Sequence, residues 1–510
     1  MGSAQAHAAS ARGEGPSVIV SRNPATGEIL GEVSVMGPVE VRDAVQRARE
    51  AQAAWGKLAA CERARRLLAF RDEILKRTNE VAELLSKEGG KTKLEAVSME
   101  ILLVADLTTY FAKRAEKILA PKRIPLHLLK HKKSYLHYTP RGVIGIIAPW
   151  NFPLSIPMGD TVMALIAGNA VVLKPSEVTP LIALKMKELF DACGMPKDLL
   201  QVVTGRGETG AALIDAGVDK IVFTGSVVTG RKVAAACGER LIPYTLELGG
   251  KAPAIVCADA DLERTANALV WGAFGNSGQV CCSVERVYAH ETIYDELVQK
   301  VVAKTRSLRQ GNPLSFDTDV GAMAWDRQVS IVEDRIRTAV SAGARALAGG
   351  SRMEGPGLFF PPTVLVDVRQ DMDVMRQEIF GPVMPIMKVR SEEDAIRLAN
   401  DSHLGLVGYV FTKDRTKGAR IAERVECGTV MINDVLFSFG VPETPWIGIK
   451  QSGLGFTHSD DGLREMCLKR HVNVDRFSTA RELWWYPYSE KTYKIVTSAM
   501  GFLFRPRKHA

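Results

Sequence analysis

Of the side chains able to do covalent chemistry, Cys281 stands in the most suggestive setting. The run Gly275-Asn276-Ser277-Gly278-Gln279-Val280-Cys281-Cys282 follows an apolar helical stretch and precedes an apolar strand. A cysteine in a glycine-bracketed turn can expose its sulfur while keeping its backbone N–H free. A thiolate so placed is a strong nucleophile and forms thioesters with acyl carbons. The run also fits two buried structural cysteines, since free cysteine packs as a small hydrophobe. A second candidate lies upstream, where Leu246-Glu247-Leu248-Gly249-Gly250-Lys251 puts a carboxylate at the end of an apolar strand. Poor solvation raises a carboxyl pKa and suits it to general-base work near neutral pH. A plain surface glutamate at a strand end is the competing reading.

Taken together, the two motifs say more. A Glu-Leu-Gly-Gly-Lys strand followed by Gly-Gln-x-Cys, 34 residues from Glu247 to Cys281, is similar to the paired signatures of the aldehyde dehydrogenase superfamily. The resemblance runs in consistent order from about Ser21 to Asp475. It implies oxidation of an aldehyde to a carboxylic acid with NAD(P)+, through a thioester on Cys281 hydrolysed by water that Glu247 activates. Ile147-Ala148-Pro149-Trp150-Asn151-Phe152-Pro153 matches the family's Pro-Trp-Asn-x-Pro segment. There the asparagine amide and the N–H of the nucleophile hold the oxyanion, a task suited to a neutral donor. A CoA-acylating relative would not need the hydrolytic base, so Glu247 argues against that chemistry. A non-catalytic protein of the same fold would not need Cys281, Glu247 and Asn151 together.

The resemblance also implies a cofactor site built from Ile147, Pro149, Trp150, Lys174, Ser176, Glu177, Gly207, Gly210, Phe223, Gly225, Ser226, Leu248, Glu378 and Phe380. Lys174 and Glu177 match the pair that grips the adenosine ribose. A carboxylate accepts from a free 2′-OH and repels a 2′-phosphate, which favours NAD and leaves NADP open. Gly205-Arg206-Gly207-Glu208-Thr209-Gly210 follows a strand and opens a helix, the literal dinucleotide pattern. The small residues Gly225 and Ser226, where another helix begins, are the preferred pyrophosphate site. Glu378-Ile379-Phe380-Gly381-Pro382 matches the stretch that meets the nicotinamide ribose and ring. No cysteine or histidine cluster has metal-ligand spacing, so no metal is expected.

Two departures from the family pattern stand out. Many members read Ser-Gly-x-Gly-Arg-Glu near the C-terminus; here the run is Ser452-Gly453-Leu454-Gly455-Phe456-Thr457-His458. Thr457 replaces a glutamate that relays protons from the general base. His458, Asp460 and Asp461 are alternatives, read as ordinary solvated loop residues. The second departure is a tail beyond Asp475. Trp484, Trp485, Tyr486 and Tyr488 precede a stripe of Tyr493, Val496, Met500 and Leu503, with cations at Lys491, Lys494 and Arg505–Lys508. Docking on protein, at a subunit boundary or the substrate entrance, is favoured over contact with a membrane surface.

These residues need an α/β frame. From Arg141 the strands Val143–Ala148, Ala170–Leu173, Leu200–Thr204, Lys220–Phe223 and Thr245–Leu248 alternate with helices such as Pro180–Cys193 and Thr209–Ala216, as in a Rossmann-type parallel sheet. A second series includes helices Asp261–Phe274 and Ile293–Leu308 and strands Thr363–Val366, Met384–Lys388, Gly408–Phe411 and Val430–Asn433. Upstream, helices are expected over Pro38–Ala53 and, as one element, over Cys61–Lys87. The expected division is a disordered leader (1–20), a cofactor-binding domain (21–125 and 142–248) and a catalytic domain (249–445). A small β oligomerisation element (126–141 and 446–478) pairs His131–Tyr138 with His471–Val474, and an amphipathic extension (479–510) follows. The resemblance implies a homodimer or homotetramer.

Bulk composition fits this picture. The chain has 510 residues, 46% apolar and 24% charged, with scattered cysteines and no apolar run long enough to cross a bilayer. A cytoplasmic enzyme is expected, with peripheral membrane contact the less favoured alternative. The net charge of +8 is concentrated in the tail, and nothing in the sequence points to nucleic acid. Apolar-looking Met158, Val162 and Phe437, with no arginine placed to clamp a carboxylate, suggest an aliphatic or aromatic aldehyde.

Overall fold

The computed structural model describes residues 17–477 and 479–504. Most of the expected leader and the Arg505–Lys508 cluster lie outside them. The chain divides into two compact units, residues 1–119 with 139–468, and residues 120–138 with 469–510.

The larger unit holds two sheets. In the first, strands run in the order Gly453–Leu454, Tyr244–Glu247, Lys220–Thr224, Val143–Ile147, Ala170–Lys174, Leu200–Val202. All pair in parallel except the short Gly453–Leu454 edge, which is antiparallel to Tyr244–Glu247. The middle strands are buried on both faces and read as continuous apolar runs, Val143–Ile147 and Ala170–Leu173 among them. Chain order reverses between Val143–Ile147 and Lys220–Thr224. In a doubly wound sheet, the crevice outside the strand ends at such a reversal is where a ligand sits.

The second sheet orders Arg345–Ala348, Thr363–Val366, Val383–Val389, Val284–His290, Ala252–Val256, Val407–Phe411, Thr429–Ile432. All its pairs are parallel except the first. Four residues, Leu248 to Lys251, join the end of Tyr244–Glu247 in one sheet to the start of Ala252–Val256 in the other. Glu247 therefore lies where the two sheets meet.

The expected helix over Cys61–Lys87 is two, Ala60–Lys76 and Thr78–Gly89. Arg77 leaves the helical region at the junction (φ −106°, ψ 24°). Thr78, the first residue of the second helix, donates its hydroxyl to the Leu75 carbonyl at 2.8 Å, and Arg77 pairs with both Glu80 and Glu188. A hydroxyl that satisfies the carbonyls of the preceding turn ends a helix without any glycine or proline to announce it.

In the smaller unit, Cys467–Asp475, Lys132–Pro140 and Lys122–Ile124 form a three-stranded sheet in that order. Lys132 forms ion pairs with Glu482 and Asp475, and the Trp484 ring lies against His131 and Lys132. Beyond it, Glu490–Leu503 is a helix with no buried residue.

Candidate active site

The Cys281 turn is held by backbone strain and buried charge. Asn276 and Ser277 both adopt left-handed backbone (φ 51° and 54°), and Gly278 follows at φ 71°. A Cβ at Gly278 would come within 2.2 Å of the Gly381 carbonyl, so only glycine lets these segments touch. Asn276 N–H donates to buried Glu95 at 2.7 Å, and the Asn276 amide donates to the Asn151 carbonyl at 3.1 Å. Asn151 in turn donates its side-chain amide to the Gln279 carbonyl at 3.0 Å, two residues before Cys281. Asn151 and the cysteine turn are therefore one hydrogen-bonded assembly.

Under it lies a charge pair that sequence reasoning missed. Lys91 and Glu100 form an ion pair with side-chain exposures of 1% and 0%. Lys91 Nζ also donates to the Asn151 carbonyl at 2.7 Å, and Glu100 accepts from the Leu154 and Ser155 amides at 2.8 and 3.0 Å. One sign was available: Thr92-Lys93-Leu94-Glu95 is a capping box, and the helix it starts carries Glu95 and Glu100 inward.

Cys281 and Glu247 line a common cavity with Ile156, Asp160, Thr224, Leu248, Phe439, Trp446, Thr457 and His458. Its free interior is about 20 Å³, room for about one water molecule. Both Glu247 carboxyl oxygens are buried without a hydrogen-bond partner. Burial, and then the nearby Asp160 carboxylate, push the Glu247 pKa well above the usual carboxylate range. The Cys281 thiol is likewise held high, first by its hydrogen bond with Cys282 and then by burial. Cys282 is buried, and its carbonyl accepts from the equally buried Tyr409 hydroxyl.

Three cavity expectations are corrected. Met158 and Val162 are fully buried in the core, whereas Ile156 and Asp160 line the cavity. On the helix Ser155–Ile166, residues four apart share a face, and Met158 lies on the other one. Phe437 lines an open surface groove with Asp261 and Arg264, and it is Phe439, two residues on, that reaches the cavity. His458 is 2% exposed and faces the cavity, not a solvated loop residue. Burial drives its pKa down to about 4, so it is neutral. Asp460 contacts Tyr110 and Arg114, and Asp461 pairs with Arg464, so neither joins the cavity.

The remaining expected residues gather around the sheet reversal. Ile147 ends one central strand, with half-buried Pro149 and Trp150 just beyond it. Phe223 is in the neighbouring strand, followed by Gly225, whose N–H donates to the Glu247 carbonyl at 3.0 Å. Exposed Ser226 caps the helix Val227–Glu239, accepting from the Thr229 amide. A side chain on Gly225 would strike the Phe223 ring, and one on Gly230 would strike Leu248. Lys174, 5% exposed, has a long 3.5 Å hydrogen bond to the partly exposed Glu177, which leaves donor capacity for a ligand hydroxyl. Ser176 accepts from the Val178 amide in a local turn. Buried Gly210 faces Ile147 and Lys174, while Gly207 is open to solvent.

Opposite, Glu378 accepts from the Gly250 amide at 2.8 Å and sits so close to Gly249 that a Cβ there would be 2.5 Å from a carboxyl oxygen. Burial raises the Glu378 pKa to about 8. Phe380 is held at φ 56°, with its ring 5.3 Å from that of Trp150. Its amide and that of Ile379 donate to Glu285, which forms a buried ion pair with Lys251 at 2.8 Å. Lys251 and Glu285 are thus further supports that the motif spacing did not reveal. An open helix N-terminus, a spare ammonium and close-approach glycines at a sheet reversal fit a dinucleotide.

Comparison with known proteins decides the family. The aldehyde dehydrogenase family model matches residues 11–472. The chain belongs to the aldehyde dehydrogenase family. It is 36% identical over 492 residues to the 4,4'-diapolycopene aldehyde oxidase of Methylomonas sp, covering 95% of this chain and 91% of that one. It is 39% identical over 453 residues to the mitochondrial succinate-semialdehyde dehydrogenase of Oryza sativa subsp. japonica, covering 88% and 85%. The crystal structure of a Mycobacterium tuberculosis aldehyde dehydrogenase complexed with NAD+ superposes with a TM-score of 0.87 at 35% identity, covering 91% and 96%. This chain is therefore an NAD(P)-dependent aldehyde dehydrogenase with the α/β fold of that family. No helix among the described residues is long and apolar enough to cross a membrane.

Proposed function

We propose that the enzyme oxidises apolar aldehydes to acids, with Cys281 as nucleophile, Asn151 and the Cys281 N–H as oxyanion donors, and Glu247 as the base for hydrolysis. The observation that carries this is the shared cavity: Cys281 and an unpartnered, proton-hungry Glu247 face a space for about one water. Lys174, Glu177, Gly225, Ser226, Glu378 and Phe380 would hold NAD(P)+. Bound there, NAD(P)+ would supply a hydride acceptor, so that the adduct on Cys281 could become an acyl thioester. Cys281 sulfur bonds the carbonyl carbon, and the oxygen gains charge beside the amide donors. Water then attacks the thioester, Glu247 takes its proton, the C–S bond breaks and the acid leaves.

Two features support an apolar substrate. Ile156, Leu248, Phe439 and Trp446 surround the cavity, and Leu103, Leu107 and Pro442 line a second small one that shares Phe439 and His458. No arginine or lysine lines either, so a succinate semialdehyde carboxylate would lack a partner there.

Glu247→Gln tests the mechanism. It should keep a burst of NADH equal to the enzyme present and lose steady turnover by roughly a hundredfold or more. Undiminished steady turnover removes Glu247 from the role. Across linear aldehydes, kcat/KM should climb with chain length and exceed that for succinate semialdehyde; the reverse order refutes the apolar reading.

A further inference from the structure

The hydrolytic base must be emptied of its proton every turnover, and the glutamate expected to do so is Thr457 here. Thr457 is buried, fixed by paired backbone hydrogen bonds to Trp446 at 3.0 and 3.2 Å. Its hydroxyl donates to Asp160 at 3.0 Å. Asp160 is 5% exposed and lines the same cavity as Glu247 and Cys281. A carboxylate has thus returned to the site on a different element, the helix Ser155–Ile166, with threonine now its hydrogen-bond donor.

We propose that Asp160, oriented by Thr457, accepts the proton that Glu247 takes from the hydrolytic water. This rests on the reading of Glu247 as that base. The proton leaves the Glu247 carboxyl through a cavity water and arrives on the Asp160 carboxylate. Asp160 then releases it to solvent, so no other reactant is consumed.

The charged and titratable groups facing Asp160 are Glu247 from one strand, Lys220 from the next, His458 from the loop beyond Thr457, and Cys281 across the cavity. Burial raises Asp160, while the Thr457 hydrogen bond and the Lys220 charge hold it down, leaving it at about 7. Lys220, whose charge acts on Asp160, itself pairs at 3.8 Å with the partly exposed Glu465. His458 stays neutral and does not compete for the proton. Below about pH 7 Asp160 is protonated and cannot accept, so the hydrolytic step should strengthen as pH rises through that value.

The test is Asp160→Asn and Thr457→Val, assayed for burst and steady turnover across pH. Asp160→Asn should keep the NADH burst, lose at least about tenfold in kcat and lose the inflection near neutrality. Thr457→Val removes a hydrogen bond that favours the ionised form, so its inflection should move to higher pH. A drop in kcat with the wild-type pH profile intact in both variants would mean a packing role and overturn the relay. Unchanged kcat in Asp160→Asn would do the same. Full turnover in Glu247→Gln would instead remove the base reading beneath it.

The tail carries an independent inference. Trp485, Tyr486, Tyr488, Tyr493, Ile495, Met500, Phe502 and Phe504 are all exposed, with Phe502 at 82%. On the helix Glu490–Leu503 the apolar side chains Tyr493, Val496, Met500 and Leu503 share one face, flanked by Ile495, Ala499 and Phe502. The opposite face carries Lys491, Lys494 and Ser498. Residues 481–510 hold six cations, Arg481, Lys491, Lys494, Arg505, Arg507 and Lys508, against Glu482 and Glu490. Glu482 is already committed to Lys132, and Glu490 pairs with Lys494 at 2.7 Å.

We infer that this helix lies on an anionic lipid surface. Its wide apolar face, aromatic preface and cationic excess complement acyl chains beneath negative headgroups. A two-fold contact with a second copy would bring equally basic tails together. Sedimentation of the full-length enzyme with vesicles should show binding to phosphatidylcholine mixed with phosphatidylglycerol, weakened by salt, and little binding to phosphatidylcholine alone. Met500→Glu/Phe502→Glu should lose that binding while retaining turnover of a water-soluble aldehyde. Equal recovery of both proteins with anionic vesicles would overturn the proposal. So would a fall in oligomer mass in the variant with no vesicle binding by the wild type, which would assign the face to a second copy.

Discussion

At the scale of single residues, the two adjacent cysteines pose the sharpest contrast. Cys281 faces the cavity with Glu247, whereas Cys282 is packed in the core with its carbonyl bonded to Tyr409. Cys281→Ala should abolish dehydrogenase activity while Cys282→Ala keeps most of it. A comparable loss in both, measured as NADH formation at matched folded protein, would point to the wrong sulfur. Cofactor preference is also a single-residue matter. Glu177 pairs with Lys174 at 3.5 Å, and at the ribose site proposed for this pair its carboxylate would repel a 2′-phosphate. Wild-type kcat/KM should favour NAD, and Glu177→Gln should narrow the ratio; a wild type that prefers NADP contradicts this placement. Residues of this kind were legible in the sequence because short motifs carry them. Asp160 was not, since nothing local marks one aspartate in a buried helix as facing a glutamate 87 positions on in the chain.

At the scale of elements, what holds the site is buried charge. The Cys281 turn rests on Glu95, Asn151 rests on Lys91 and Glu100, and the Phe380 turn rests on Glu285 and Lys251. Removing one partner of a buried pair leaves an uncompensated charge and costs about 3–5 kcal/mol. Lys91→Met should therefore lower the melting temperature and slow NADH formation, because the Asn151 carbonyl loses its ammonium donor. The double variant Lys91→Met/Glu100→Gln should recover much of the stability but not the rate. Recovery of both would show that the pair serves folding alone. The strands read from apolar runs, such as Val143–Ala148 and Thr363–Val366, have ends within about two residues, because burial on both faces leaves a continuous signal, while Ala252–Val256 in the middle of the second sheet was not among them. The break at Arg77 could not be read, since Leu67, Ile74 and Val81 keep a regular spacing straight across it. A hydroxyl and two ion pairs mark the break, and of these the Arg77–Glu188 pair comes from tertiary structure.

At the scale of the whole molecule, the alternation of strands and helices announced the doubly wound frame. The three-stranded sheet is different, since two of its strands are separated by more than three hundred residues and neither is apolar enough to stand out. The polar/apolar alternation of Ser134 to Tyr138 fits an extended arm, and the resemblance suggested its partner. In that sheet Cys467–Asp475 is an edge strand with nearly every residue exposed. An open edge presents unpaired N–H and C=O groups and recruits another strand unless something blunts it. Lys469 and Arg470 supply charge against indiscriminate pairing, yet Val472 and Val474 keep β-forming character. The expected result is a homo-oligomer, a dimer or tetramer, that depends on this edge. Successive N–H groups of a strand point to opposite neighbours, so Val472→Pro and Asn473→Pro each remove a donor from a different side. One should dissociate the oligomer while leaving the circular dichroism of the folded chain unchanged, and the other should weaken the pairing with Lys132–Pro140. Light scattering after size exclusion reads the difference. A wild type that runs as a monomer, or two variants that both keep the oligomer mass, would exclude this strand as the assembly edge.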